Sequence, residues 1–268
     1  MRVPQAQYTL SNLLPMIDTK LDQRPARRFD FSRMLATLFY PRQAFAEMAS
    51  GSHAVWLTPM LVLSVTASLA VFVAGYLKSR AALLGEIALP PDWQFWTPEM
   101  QNNYMQAQQA TQGPVFAYVI PLVGALAALW LGWLVLAGLL HLGSTLLGGR
   151  GSMQSALNIV AWASLPFAVR DVLRILFMLS AGQVITSPGL SGFAAGTGFL
   201  SQLLSRTDVF LLWSVILLAI GFGVADGLSR SKTLAGVVIV ILIVLMAQAG
   251  LGALSSGLGG AVVQRPFF

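Results

Sequence analysis

Three ionisable residues, Arg170, Asp171 and Arg174, are the only charges between Arg150 and Arg206, and they stand inside an apolar run. A charged side chain in the middle of a membrane-crossing helix costs about 2.5–3.5 kcal/mol even on the mildest insertion scale. Such residues therefore pair with one another, snorkel to the surface or meet a partner. Arg170 and Arg174 are four apart and share one helical face, and Asp171 is three before Arg174. A fourth charge, Asp208, opens the next apolar run at the same expected depth. Two guanidiniums against two carboxylates leave this intramembrane network near neutral, in a role that is either structural or a partner contact. Asp226 lies at the other end of the run that Asp208 opens, and is expected to meet Arg150, Arg230 or Lys232.

Little else in the chain suggests chemistry. There is no cysteine, so thiolate catalysis, disulfides and Cys-ligated metals are excluded. Gly189-Leu190-Ser191-Gly192 spells the GxSG of intramembrane serine proteases, but it sits in a Gly/Ser-rich loop where such tetrapeptides arise by composition. His141, the histidine within an apolar run, precedes that serine, the reverse of the protease order. It reads as a polar packing residue near Ser144 and Thr145, with a proton carrier as the alternative. The two histidines, His53 and His141, are far apart and no acidic pair accompanies them, so no metal set is expected. No phosphate-binding or dinucleotide fingerprint is present, and no cofactor is expected. An enzyme is not the expected function.

The elements that must position these residues follow from composition. Of 268 residues, 56% are apolar and 10% charged, where a soluble domain carries roughly 25% charge. Mean hydropathy is +0.72. This excludes a soluble globular enzyme and a disordered chain. Five stretches have the roughly 20 apolar residues that cross a bilayer core: 55–77, 115–146, 154–179, 208–227 and 233–254. Their apolarity is continuous, without the alternation of a β-barrel. The expectation is an all-α polytopic membrane protein, a five-helix bundle, with Pro121 bending the second span and Pro166 interrupting the third. No internal repeat or inverted half is visible.

Residues 29–49 carry Phe31, Met34, Leu35, Leu38 and Phe39 at helical spacing, with Arg33 and Arg42 beside them and Pro41 as a hinge. Too short to span, they read as amphipathic helices on the inner leaflet, or as helices packed on the bundle. Residues 1–28 read as a flexible tail and 255–268 as a short outer one, around one membrane domain. Trp93, Phe95 and Trp96 form an aromatic cluster for headgroup level, followed by a helix opening at Thr97-Pro98-Glu99. The loop 181–206 is rich in Gly, Ser and Thr and is expected to be mobile. Small residues recur every fourth position at Gly124/Ala128/Gly132 and Ala219/Gly223/Gly227, ridges that pack helices within a monomer or between subunits.

Sixteen basic residues against 10 acidic give a net charge of +6. Here basic residues gather at span ends, where they set orientation and meet anionic lipid, so nucleic acid is not an expected partner. With the N-terminus inside, the inner segments hold Arg2, Lys20, Arg24, Arg27, Arg28, Arg33, Arg42, Arg150, Arg230 and Lys232. The outer ones hold Lys78, Arg80, Arg206 and Arg265. The bias predicts a cytoplasmic N-terminus and an outer C-terminus in the cell's inner membrane.

Several of these runs resemble one family in order. Leu38-Phe39-Tyr40-Pro41 with Phe45, then Trp56 and Pro59, is similar to the start of the Yip-type (Ypt-interacting protein) membrane domain. Gly149-Arg150-Gly151-Ser152 and Ala161-Trp162-Ala163-Ser164-Leu165-Pro166 resemble its middle. Asp208-Val209-Phe210, Trp213 and Gly221 resemble its fourth span, and Ser231-Lys232 its last basic turn. The resemblance covers about residues 34–254 and implies an N-in, five-span helical protein. Eukaryotic members act in vesicle trafficking with Rab-type GTPases through an Asp-Leu-Tyr-Gly-Pro signature that this sequence lacks, so GTPase binding is not expected. The bacterial branch, which the chain resembles more, includes accessory subunits of ABC exporters. The expected function is a non-enzymatic membrane scaffold or accessory protein binding another membrane protein, such as an ABC exporter complex, or a second copy of itself. The alternatives are a small transporter or channel for a lipid or ion, and a membrane-surface or curvature sensor.

Overall fold

A backbone in hydrocarbon must satisfy its own N–H and C=O groups, and the apolar runs do so as helices. The computed structural model describes residues 31–50, 53–85, 89–90, 92–111, 113–194 and 198–261. The tail expected over 1–28 lies outside the described residues. α1 (Ser32–Phe39) and α2 (Pro41–Ser50) precede the long α3 (Leu57–Leu83). A 3-10 turn (Trp93–Phe95) and α4 (Pro98–Thr111) lead to a π turn (Val115–Val119) that runs into α5 (Ile120–Leu146). Next come α6 (Met153–Ala163), α7 (Leu165–Ala181), the short α8 (Phe199–Ser205), α9 (Val209–Asp226) and α10 (Arg230–Ala261). No strand occurs among the described residues.

Four helices are long and apolar enough to cross a membrane: α3, the Val115–Leu146 segment containing α5, α9, and α10 through Leu254. The third expected span differs. It is helical but broken at Ser164 into α6 and α7, each too short for a full crossing by itself. Pro166 is the cause, since it has no N–H for the ladder and its ring crowds the preceding turn. The Phe167 amide turns to the Ser164 carbonyl (2.9 Å), and the Ser214 hydroxyl of α9 donates to the Ala163 carbonyl (2.8 Å). The bundle is therefore four continuous helices and one broken pair. Pro121 acts by a related route, with the ladder before it widened into the π turn at 115–119.

One end of the bundle, here the near end, carries α1, α2, the start of α3 and the 147–152 turn. The far end carries the end of α3, the 3-10 turn, α4 and α8. The near half is the core. α6 is buried on almost every side, and Trp162 is fully enclosed. Its polar atoms anchor the segment entering α3. Asn158 accepts from the Val55 amide (3.0 Å) and donates to the His53 carbonyl (3.0 Å), while Trp162 Nε1 donates to the Val55 carbonyl (3.0 Å). Trp56, Trp130 and Trp133 close the core with ring centroids 4.9–6.1 Å apart.

Of the two readings of residues 29–49, packing on the bundle holds for the second helix. α2 packs on the bundle: Ala44, Phe45 and Met48 are buried, and Phe45 lies against α9 where Gly221 leaves room. The apolar face of α1 is wide enough to serve two sides. Met34 and Leu38 turn to the core, and Phe31, Leu35 and Phe39 turn outward. The loop over 181–206 is not simply open. Apolar residues between its small ones form α8, and Ser191 Oγ donates to the Pro188 carbonyl (2.7 Å) while the Leu190 amide caps the Leu204 carbonyl (2.9 Å). α3 runs past Lys78 and Arg80, and α10 continues as helix to Ala261, into the expected outer tail.

Candidate functional site

The charges lie where α7 meets the start of α9, in the far half of the bundle, beside α8, which packs on α10. Asp208 is the N-cap of α9, where its Oδ1 accepts from the Leu211 amide (2.9 Å), so its other oxygen faces α7. Arg170 Nη1 is 3.4 Å and Arg174 Nη2 3.8 Å from Asp208 Oδ2, and Arg170 Nε is 3.6 Å from Asp171 Oδ1. These four residues, which the sequence places in one network, come together in space. Phe167 carries the Arg170 guanidinium on its ring face, 4.7 Å from the centroid.

Two cavities meet at this cluster. One, of about 560 Å³, is an apolar groove among α3, α5, α7 and α10 that includes Ala128, Gly132, Leu131, Val135 and Ile243. The other, of about 600 Å³, is more polar and takes in Arg174, Gln202, Ser205, Arg206 and Ser214. Arg170, Phe167 and Gln248 line both. Arg206 Nη1 donates to the Gln202 carbonyl (3.0 Å) and side-chain oxygen (3.1 Å), which fixes its guanidinium at the chamber edge.

A family model for the Yip1 domain matches residues 35–252. The chain belongs to the Yip1 domain family. No curated protein and no solved structure matches it. The match makes the chain a multi-pass membrane protein whose apolar helix exteriors contact lipid.

Within this Yip1 domain the two small-residue ridges part company. On α9, Gly223 packs on Thr233 of α10, so that a β-carbon at 223 would lie 3.6 Å from the Thr233 Oγ1. Gly227 is not part of that ridge: it caps α9 with φ +68°, a left-handed geometry suited to glycine. The tightest glycine on α9 is Gly221, where a β-carbon would fall 2.6 Å from Ile159. On α5, Gly124 and Gly132 meet nothing within 4 Å, and Ala128 is exposed.

At the near end Asp226 departs from expectation. Among the described residues it forms no ion pair with Arg150, Arg230 or Lys232, which are exposed. A glycine turn, and none of these three cations, lies against Asp226. Gly149 and Gly151 press on the carboxylate so closely that a β-carbon at 151 would overlap it, and the Arg150 amide donates to the Asp226 carbonyl (3.3 Å). Asp226 Oδ2 is buried without a hydrogen-bond partner. Near His141, the Ser144 and Thr145 hydroxyls donate to its backbone carbonyl, not its ring (3.0 and 2.8 Å).

Three residues of the chamber do not stand out in the sequence as site residues: Gln202, Arg206 and Gln248. A signal exists for two of them. Gln248 is the only amide or charged side chain between Thr233 and Leu254, and Arg206 stands two residues before Asp208. Gln202 has none, since α8 itself is hidden in a Gly/Ser-rich loop.

Proposed function

We propose that this Yip1-domain protein is a non-enzymatic membrane scaffold or accessory subunit that binds another integral membrane protein, with an ABC exporter the first class to test. The observation that carries the reading is the α5 face. Its Gly124/Ala128/Gly132 ridge is uncovered, whereas α9 is packed against its neighbours. Small residues let a second helix backbone approach closely. In this reading residues 29–254 act as one domain in the cell's inner membrane. The near end is cytoplasmic, the C-terminus is outside, and the outward side of α1 (Phe31, Leu35, Phe39) lies on the inner leaflet with Arg33 and Arg42 near its headgroups.

A conduit fits less well. The ion pairs lie in the far half, while in the near half Trp133, Trp162, Phe45 and Phe222 fill the space between scattered buried polar groups such as Thr58, Asn158 and Thr233. No polar stripe continues through both among the described residues.

The test is purification from native membranes in mild detergent. A membrane protein should co-elute in fixed ratio with the wild-type chain and be lost with Gly124→Leu. Recovery of the chain alone, together with solute flux in liposomes, would contradict the scaffold. Orientation is checked separately in this cysteine-free chain. Gly113→Cys should react with an impermeant thiol reagent in intact cells, and Arg230→Cys only after permeabilisation.

A further inference from the structure

We infer that the far chamber binds an anionic phospholipid, with the phosphate among Arg170, Arg174 and Arg206 and an acyl chain in the groove between α5 and α10. Three guanidiniums face two carboxylates, Asp171 and Asp208, so one positive charge is left over inside a low-dielectric wall. A phosphodiester supplies one negative charge.

The donors have capacity for it. Strong charge-assisted N–H···O bonds are about 2.7–2.9 Å long, whereas the pairs here are 3.4, 3.6 and 3.8 Å. Arg170 Nε is buried with no hydrogen-bond partner. Arg206 is held by one nitrogen, Nη1, on Gln202 and Ser205. Guanidinium forks match phosphate oxygens in pairs, which makes arginine suited to this anion.

The groove decides for a lipid over a soluble anion. It joins the polar cavity through Ala128, Phe167 and Arg170, and its wall is nearly all hydrocarbon. Its rim residues Leu131, Val135 and Ile243 are exposed on the flank that faces the bilayer, so a lipid can enter sideways. Toward the near half it ends on Met60, Leu63 and Trp133, which are buried. The lipid is held and not passed through. The groove shares Ala128 and Gly132 with the α5 ridge, but Gly124 lines neither cavity and Arg206 is not on the ridge, so Gly124→Leu tests the scaffold reading and Arg206→Gln tests the lipid site.

The test is native mass spectrometry of the full chain, delipidated and then offered phosphatidylglycerol, phosphatidylcholine with the same acyl chains, or inorganic phosphate. One phosphatidylglycerol should be retained with about tenfold preference over phosphatidylcholine, a difference of about 1.4 kcal/mol. Arg206→Gln should reduce that retention by removing a donor. Gly132→Leu should reduce it by filling the groove, and it has open space for its side chain. Equal retention of both lipids would mean only annular contact and overturn the proposal. So would inorganic phosphate bound as well as the lipid, or wild-type retention in both variants.

Discussion

The near and far halves of this bundle use polar side chains in opposite ways. In the near half, Asn158, Trp133 and Trp162 each meet a backbone partner at 3.0 Å and large side chains fill the space between helices, with Asp226 as the exception, one of its buried oxygens being unpartnered. In the far half, the ion pairs among Arg170, Asp171, Arg174 and Asp208 close only to 3.4–3.8 Å around open cavities. Buried polar groups with full hydrogen bonding fix one arrangement, whereas under-satisfied ones retain capacity for a ligand. The comparison separates residues that hold the fold from residues free to bind.

The largest effect should come from the near core. Trp162→Ala removes a fully buried ring and its bond to Val55, and should cost about 3–5 kcal/mol, read as a loss of folded protein in detergent. A smaller change there is Asn158→Leu. It leaves the Val55 amide and His53 carbonyl without their partner, at about 1–3 kcal/mol by thermal unfolding. Near-wild-type stability in both would end the claim that the near half is the core.

In the far half the expected losses shrink. Asp208→Asn keeps an N-cap but removes the charge facing Arg170 and Arg174, and should lower stability by about 1 kcal/mol. Adding Arg170→Gln should recover part of that loss, because the single change strands a cation. A double-mutant cycle without coupling would remove the network. Gly124→Leu should change stability by less than about 0.5 kcal/mol, since its face is open, and act only on partner recovery.

How far the sequence anticipates this depends on the kind of signal. Apolar run length carries the helices, because lipid leaves the backbone no other choice. The spacing of Arg170, Asp171, Arg174 and Asp208 brings one cluster together, since helix geometry and alternating direction fix their depth. What escapes depends on tertiary detail. Pro166 signals a break, but not that the carbonyl freed at Ala163 is met by Ser214 from another helix. The ridge motif reads the same on α5 and α9, yet only one is covered. Asp226 looks like half of an ion pair until the glycine turn beside it is in place. α8 is masked by small residues on either side.

The most direct test of the division is hydrogen exchange of the full chain in nanodiscs, followed on peptides covering 153–163 and 198–206. Both are compared in phosphatidylcholine and in phosphatidylglycerol. The 153–163 amides should be strongly protected in either lipid. Those of 198–206 should exchange readily in phosphatidylcholine and slow by roughly fivefold in phosphatidylglycerol, as ligand binding stabilises only the region it contacts. Equal protection of 198–206 in both lipids, or a shift as large in 153–163, would contradict a fixed near core and a ligand-binding far half.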